Sequence, residues 1–208
     1  MTGLVGVLLA AGSAARFGTH KLLAELPSGE PVGLRAALNL IQILPNSLAV
    51  IRSGDAVLSE MLAAAGLGVI ENPLSSIGIA GSIVAGIRAS ADATGWLIIL
   101  ADMPWIRPTT IRTVAEAIRA GATLAAPTFG GRRGHPVGFS ARWRSRLLSL
   151  QGDRGARDLL EGARHELCLL PTTDPGILQD IDFPSDLVTQ PGAARGVHRG
   201  SERPSPRG

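Results

Sequence analysis

The chain has 208 residues, of which 45% are hydrophobic and 3% aromatic, with no tyrosine and a formal net charge of +3. This composition supports a sizeable core in one domain, whereas so few aromatic side chains argue against a stacking platform for single-stranded nucleic acid. No apolar run reaches the roughly 18 residues of a transmembrane helix, and the chain opens without a basic leader, so we predict a cytoplasmic protein with no membrane partner.

The positive charge is concentrated at one end of the chain. Residues 191–208 carry four arginines and one glutamate, a net charge of +3 that equals the charge of the whole chain. This segment is rich in proline, glycine and serine and has little to bury, which is typical of disorder. We therefore predict one domain over residues 1–190 and a disordered basic tail over residues 191–208. A solvated tail is favoured over an arm that binds nucleic acid.

Apolar runs and helical periodicities alternate along the body of the chain. Strands are predicted at 4–11, 47–51, 68–70, 96–101, 123–127, 136–139 and 166–170. Helices are predicted at 31–44, 55–65, 79–90, 108–119, 141–149 and 154–163. This alternation predicts an α/β domain with three α/β/α layers around a mostly parallel sheet, in which ligands bind beyond the carboxyl ends of the strands. The lone cysteine, Cys168, lies in the last apolar run and is predicted to be buried, and no internal disulfide is possible.

The loop after the first strand has the features of a phosphate site. Gly12 ends the strand, and the small residues around it allow backbone N–H groups to approach an anion closely. Arg16 and Lys21 then supply two cations, and Lys21 is the only lysine in a chain that otherwise uses arginine. The spacing fits neither a P-loop nor a dinucleotide fingerprint. We predict that this loop binds phosphate, rather than that Lys21 is a solvated loop residue.

Two carboxylates from distant segments are candidates for a metal site. Asp102 follows the most apolar predicted strand directly, and Met103 and Pro104 stop that strand at once. Asp182 lies in a second acidic segment, in which Asp186 or Ser185 is predicted to begin a short capped turn. Because Mg²⁺ prefers one or two carboxylates together with substrate phosphates, Asp102 and Asp182 predict a shared magnesium ion. The alternative for Asp102 is a helix cap.

A glycine-rich loop at 130–136 carries Arg132, Arg133 and His135 between two predicted strands. Its glycines let the backbone pass near a ligand, and its cationic side chains and histidine offer hydrogen-bond donors. Contact with substrate and a plain solvated hairpin are equally good interpretations of this loop.

Several linked motifs resemble the MobA-like nucleotidyltransferases, in particular the molybdenum cofactor cytidylyltransferases. The first loop is similar to the signature L-A-A-G-x-S-x-R-[FM]-G-x-x-K. Further motifs follow in the same order at 100–104, 131–139, 152–160 and 180–187. The chain departs from the family at three places. Ala14 stands where the family has serine, and Phe183 stands where the family has threonine. The segment 78–83 has a different pattern of glycine and serine.

The resemblance implies a Rossmann-like nucleotidyltransferase fold and a Mg²⁺-dependent reaction. The implied reaction moves CMP from CTP to the phosphate of molybdenum-bound molybdopterin, and pyrophosphate leaves. Arg16, Lys21 and Asp102 would be catalytic, and a molybdoenzyme of the xanthine dehydrogenase type would be a partner. The nucleotide contacts would come from Leu9, Ala10, Ala11, Gly12, Ser13, Arg16, Lys21, Gly78 and Ser82. A guanylyltransferase, another acceptor, and a non-catalytic carrier that delivers the finished dinucleotide to a molybdoenzyme remain as alternatives.

Overall fold

The structure is a computed structural model that describes residues 3–12, 17, 20–152 and 155–188. The predicted tail over 191–208 lies outside the described residues. Within them, strands and helices alternate as the sequence predicts. The strands are β1 (Gly3–Ala10), β2 (Ser47–Arg52), β3 (Gly68–Asn72), β4 (Ala93–Leu100), β5 (Leu124–Phe129), β6 (Arg132–Arg133), β7 (Val137–Ser140) and β8 (Leu167–Pro171). The helices are α1 (Val32–Ile41), α2 (Ala56–Ala64), α3 (Ile79–Ala89), α4 (Pro108–Arg119), α5 (Arg144–Leu148) and α6 (Arg157–Gly162).

The strands form one sheet in the order β3-β2-β1-β4-β7-β5. The first four of these strands are parallel to one another, and β7 runs antiparallel between β4 and β5. β5 also pairs with β6 in an antiparallel ladder and with β8 in a parallel one. The sheet is therefore mostly parallel, and β1 lies at its centre between β2 and β4.

Two hydrophobic cores lie on the two faces of the sheet. Leu4 and Leu8 of β1 join a core formed with α1, α2 and α4. Val5, Val7 and Leu9 alternate with them along the strand and join a second core, formed with α3, α5 and α6. Successive side chains of a strand point to opposite faces, so a strand that is apolar throughout must be covered on both sides. The predicted three-layer α/β/α architecture is confirmed.

The helix ends follow their predicted signals. The Asp55 carboxylate accepts a hydrogen bond from the Leu58 N–H at 3.4 Å and caps α2, and Pro108 is the first residue of α4. At 12 residues, α4 is the longest helix in the described ranges. None of the helices in this part of the chain combines the length and the apolar character needed to cross a bilayer.

The loop at 130–136 contains a strand that the sequence analysis missed. Arg132 and Arg133 form β6 and pair with Phe129 and Thr128 at the end of β5. The reversal is made by Gly130 and Gly131, with φ values of 56° and 74°. Two consecutive glycines between short strands are a strong hairpin signal, because the tight turn requires positive φ at both positions. The sequence thus contained the information for this strand.

Cys168 is exposed, and its predicted burial is wrong. It lies in β8, which pairs with β5 and leaves Cys168 and the neighbouring Leu169 exposed. An apolar run predicts a strand covered on both faces, but helices cover a strand at the side of a sheet less completely than a central one. The position of β8 in the strand order, rather than its composition, decides its exposure.

Candidate active site

The ends of β1 and β4 bring the first loop next to Asp102. Leu9 pairs in register with Leu100, and the Ala101 N–H donates to the Leu9 carbonyl at 3.0 Å. Ala10 and Ala11 are buried, so the chain leaves the core at Gly12, whose carbonyl accepts from the Arg52 guanidinium at 3.4 Å. The predicted contacts Ser13 and Arg16 lie outside the described residues.

Lys21 lies between two carboxylates from distant parts of the chain. Its Nζ donates to Asp102 Oδ2 at 2.8 Å and to Asp182 Oδ1 at 3.3 Å, and its side chain is 12% exposed. Burial of the ammonium lowers its pKa, but the two carboxylates outweigh that effect, and the pKa of Lys21 lies above its usual value. Lys21 is therefore a fixed positive charge at the carboxyl end of the sheet.

The segment that carries Asp182 is fastened to the end of β4. The Ile181 N–H donates to the Asp102 carbonyl at 2.9 Å. The Asp186 carboxylate accepts from the N–H groups of Asp182 and Phe183 at 3.0 and 2.8 Å. Asp186 thus closes the turn before a short 3-10 helix at Pro184–Val188. This agrees with its predicted capping role, and the turn holds Asp182 beside Asp102.

The donor set of this site fits a divalent cation. Asp102 Oδ1 is buried and has no hydrogen-bond partner among the described residues, so an acceptor oxygen is available there. Burial, with added repulsion from Asp102 and Asp182, raises the pKa of the nearby Asp180. In the described ranges, no group of three or more histidine, cysteine or acidic side chains is arranged to hold a metal. The two carboxylates would therefore need substrate oxygens to complete a coordination shell, as Mg²⁺ commonly does.

The glycine-rich loop lies next to this acidic cluster. The His135 N–H donates to the Ile177 carbonyl at 3.1 Å. Burial, with the charge of Arg133, lowers the pKa of His135 to about 4, and the charge of Asp180 opposes that shift. His135 is therefore neutral at pH 7. Arg132 and Arg133 are exposed on β6, so the structure gives His135 a different environment from the two arginines.

Comparison with known proteins identifies the family. Residues 6–167 match the MobA-like NTP transferase domain, and this span exceeds half of the chain. The chain belongs to this family. The purine catabolism protein PucB of Bacillus subtilis (strain 168) is 32% identical over 196 residues, which cover 88% of this chain and 93% of PucB. The MobA-like domain therefore includes the first loop, Lys21 and Asp102, whereas Asp182 lies beyond the matched span.

Solved structures share the fold of this MobA-like domain. Rv0371c from Mycobacterium tuberculosis H37Rv is 25% identical with a TM-score of 0.72, over 88% of this chain and 94% of that one. A second structure of that protein is a complex with manganese, at 25% identity and a TM-score of 0.66, over 89% and 93% of the two chains. A nucleotidyl transferase from Methanothermobacter thermautotroptrophicus is 22% identical with a TM-score of 0.74, over 88% and 93%.

The predicted nucleotide contacts Gly78 and Ser82 lie at the start of α3, which follows β3 in the chain. Gly78 precedes that helix with φ of 131°, a conformation that favours glycine. The Ser82 hydroxyl is buried and accepts from Asn72 Nδ2 at 3.1 Å, and the Leu74 N–H donates to the Asn72 side chain at 3.0 Å. In the structure, Ser82 thus supports the loop between β3 and α3.

Sequence reasoning missed the pair formed by His20 and Asp55. His20 Nε2 lies 2.5 Å from Asp55 Oδ2, and Asp55 also caps α2. This contact fixes the residue that precedes Lys21 against a helix on the first core. His20 stood in a loop and Asp55 had a sufficient explanation as a cap, so no local signal joined them across 35 positions.

Proposed function

We propose that this MobA-like domain is a metal-dependent nucleotidyltransferase that moves CMP from CTP to the phosphate of molybdenum-bound molybdopterin and releases pyrophosphate. The observation that carries the proposal is the position of the Lys21 ammonium between Asp102 and Asp182, beyond the carboxyl ends of β1 and β4. Ligands of open parallel sheets bind at this edge, where the strand order changes direction.

The charge of the site supports a requirement for a divalent cation. Two carboxylates and one ammonium leave a net negative charge, which repels a triphosphate. Asp102 and Asp182 would hold the cation, and the buried Oδ1 of Asp102 is an available ligand. When bound, the cation neutralises charge at the reacting phosphate. Mg²⁺ is favoured by the all-oxygen donor set, and the manganese complex of Rv0371c agrees with a divalent metal.

The protein's own groups orient the triphosphate for attack by the acceptor. Lys21 and the loop residues Leu9 to Ser13, together with Arg16, would bind the phosphate oxygens. An oxygen of the acceptor phosphate attacks the α-phosphorus in line, a new P–O bond forms, and the bond to pyrophosphate breaks. The second pKa of a phosphate monoester is about 6, so the acceptor is already a nucleophile at neutral pH. No protein base is needed, and positioning and charge supply the rate.

The sequence of the first loop favours CTP over GTP. The L-A-A-G form with Ala11 is similar to the cytidylyl branch of the family, whereas the guanylyl branch usually has L-A-G-G. The name of PucB connects that relative with purine catabolism, and oxidation of purines is a reaction of the xanthine dehydrogenase type of molybdoenzyme. We propose that the cytosine dinucleotide product is delivered to an enzyme of this type in the cytoplasm.

Product identification tests the proposal directly. The full chain is incubated with molybdopterin, molybdate, Mg²⁺ and each of the four nucleoside triphosphates, and pyrophosphate release and product mass are measured. We expect pyrophosphate and a cytosine dinucleotide with CTP. Pyrophosphate and a guanine dinucleotide with GTP, and no product with CTP, would show that GTP is the substrate instead. Tight binding of the finished dinucleotide without pyrophosphate release in any mixture would favour the carrier. For Asp102→Asn, which removes a charge from the site, the matched control is Asp92→Asn at an exposed carboxylate.

A further inference from the structure

The chain exposes an aromatic ring directly beside the candidate active site. It has four phenylalanines and three tryptophans, all within the described ranges. Trp96, Trp143, Phe17 and Phe139 are buried, whereas Phe183 is 50% exposed and is the most exposed aromatic side chain of the protein. An exposed phenylalanine is ordinary on a protein surface. The position of Phe183, next in sequence to Asp182, is what calls for an explanation.

The backbone of Phe183 is fixed. Its N–H donates to Asp186 at 2.8 Å, and Pro184 follows it. The preceding residue, Asp182, is held by the same carboxylate and contacts Lys21. Adjacent Cα atoms are about 3.8 Å apart, so a ligand bound at Asp182 is within reach of the Phe183 ring. Because the backbone is already held, a flat ligand that packs against this half-exposed ring orders only the side chain.

This ring and the segment predicted to contact the nucleotide follow different strands of the sheet. Gly78 follows β3, and β2 and β1 lie between β3 and β4. Phe183 belongs to the segment that is hydrogen-bonded to Asp102, at the end of β4. In-line displacement requires the acceptor phosphate to approach the α-phosphorus opposite the leaving pyrophosphate, and the segment beside Lys21 and Asp102 offers a position for that acceptor.

On the basis of the proposed function, we infer that Phe183 is a specificity-determining contact for the acceptor and packs against its flat fused heteroaromatic ring, a pterin. Aromatic stacking on such rings is tolerant of substituents, since every heteroaromatic ring has a π-face. Phe183 then favours acceptors with a planar ring near the phosphate over a sugar phosphate. The nucleotide base offers the same chemistry, and the experiment distinguishes the two rings.

Steady-state kinetics of Phe183 variants test the contact. We expect Phe183→Ala to raise the acceptor KM roughly tenfold, within the range of aromatic stacking, with the CTP KM and the kcat at saturating acceptor unchanged. Phe183→Trp should keep the wild-type acceptor KM, and Phe183→Leu should fall between. Phe129→Leu, at the other exposed phenylalanine, is the matched control. An unchanged acceptor KM in Phe183→Ala, or a rise in the CTP KM instead, would overturn the inference.

A binding measurement separates failure of this inference from failure of the proposed function. Tryptophan emission of Phe183→Trp, relative to wild type, is titrated with 6-hydroxymethylpterin and with cytidine. We expect quenching by the pterin and none by cytidine. If wild type forms no dinucleotide but the pterin quenches, the reaction is wrong and the ring contact stands. Absence of pterin quenching would overturn the contact. Sedimentation would also overturn it if wild type were a dimer that Phe183→Ala dissociates, because the ring would then belong to a dimer interface.

Discussion

Asp102 precedes α4 in the sequence and Asp174 follows it. These two aspartates show how a functional carboxylate differs from a structural one. Asp174 is 1% exposed, and its oxygens accept from the Arg107 N–H at 2.8 Å, the Thr110 hydroxyl at 2.7 Å and the Gly176 N–H at 3.0 Å. Asp102 binds Lys21 through one oxygen, and its other oxygen is buried without a partner in the described part of the chain.

The difference lies in how completely the acceptors are used. Buried polar atoms are normally hydrogen-bonded, and an unused acceptor costs free energy that a folding role does not explain. Asp174 connects the start of α4 to the segment after β8, and its role is complete without a ligand. Asp102 is not saturated, which suits a residue that receives a cation. The predictions below test this contrast.

The largest expected effect is on catalysis at Asp102. Asp102→Asn keeps the shape of the side chain but removes the charge that a cation requires. We expect the rate of pyrophosphate release to fall about a thousandfold, while the free energy of unfolding changes by less than about 1 kcal/mol. Stopped-assay kinetics and urea unfolding measure the two quantities. A variant with full activity would remove Asp102 from the mechanism.

Lys21→Met should have the next largest effect. It removes a charge-assisted contact to phosphate, and we expect kcat/KM for the triphosphate to fall about a hundredfold. Lys21→Arg should not restore the rate, because the bulkier guanidinium cannot take the same place as a compact ammonium whose side chain is only 12% exposed. Unchanged turnover and nucleotide affinity in Lys21→Met would show that its role is limited to pairing with the carboxylates.

Asp174→Asn should reverse the pattern of Asp102→Asn. The amide presents N–H groups to donors, and we expect a loss of about 2–4 kcal/mol in the free energy of unfolding. Below the melting temperature, kcat should stay within about threefold of wild type. Chemical denaturation and the pyrophosphate assay, run on the same preparations, decide the outcome. A large loss of kcat in well-folded protein would contradict the division between the two aspartates.

The smallest expected effect concerns the pH dependence of stability at His135. The unfolded chain binds a proton here below about pH 6.5, whereas the folded protein does so only near pH 4. Between these values the unfolded state binds more protons, so lowering the pH destabilises the fold, by about 3–4 kcal/mol at most. We expect His135→Gln to flatten the unfolding free energy over this range. His165→Gln, at a histidine whose side chain is 79% exposed, is the control substitution. If His135→Gln and wild type showed the same slope of unfolding free energy against pH, the role given to His135 would be refuted.

Local patterns predicted most of the secondary structure but little of the site's geometry. The strands 4–11 and 96–101 were visible because continuous apolar runs must be covered on both faces, and the predicted helix at 79–90 agrees with α3 to within one residue. Asp102 was marked by its position after a buried strand. His135 and Cys168 were less predictable, because burial depends on which distant segment covers a residue. His135 contacts Ile177, and the strand that carries Cys168 has β5 as its neighbour.

By itself, the sequence determined the layered α/β fold, the family and the residues with chemistry to offer, because periodicity, glycine turns and linked motifs are local properties. Tertiary structure decided how those residues meet. It brought Lys21 within 3.3 Å of two carboxylates 81 and 161 positions away, left one oxygen of Asp102 without a described partner, and saturated Asp174. The physical reason is that hydrogen bonding and electrostatics act through space, and the strand order sets which loops share an edge of the sheet.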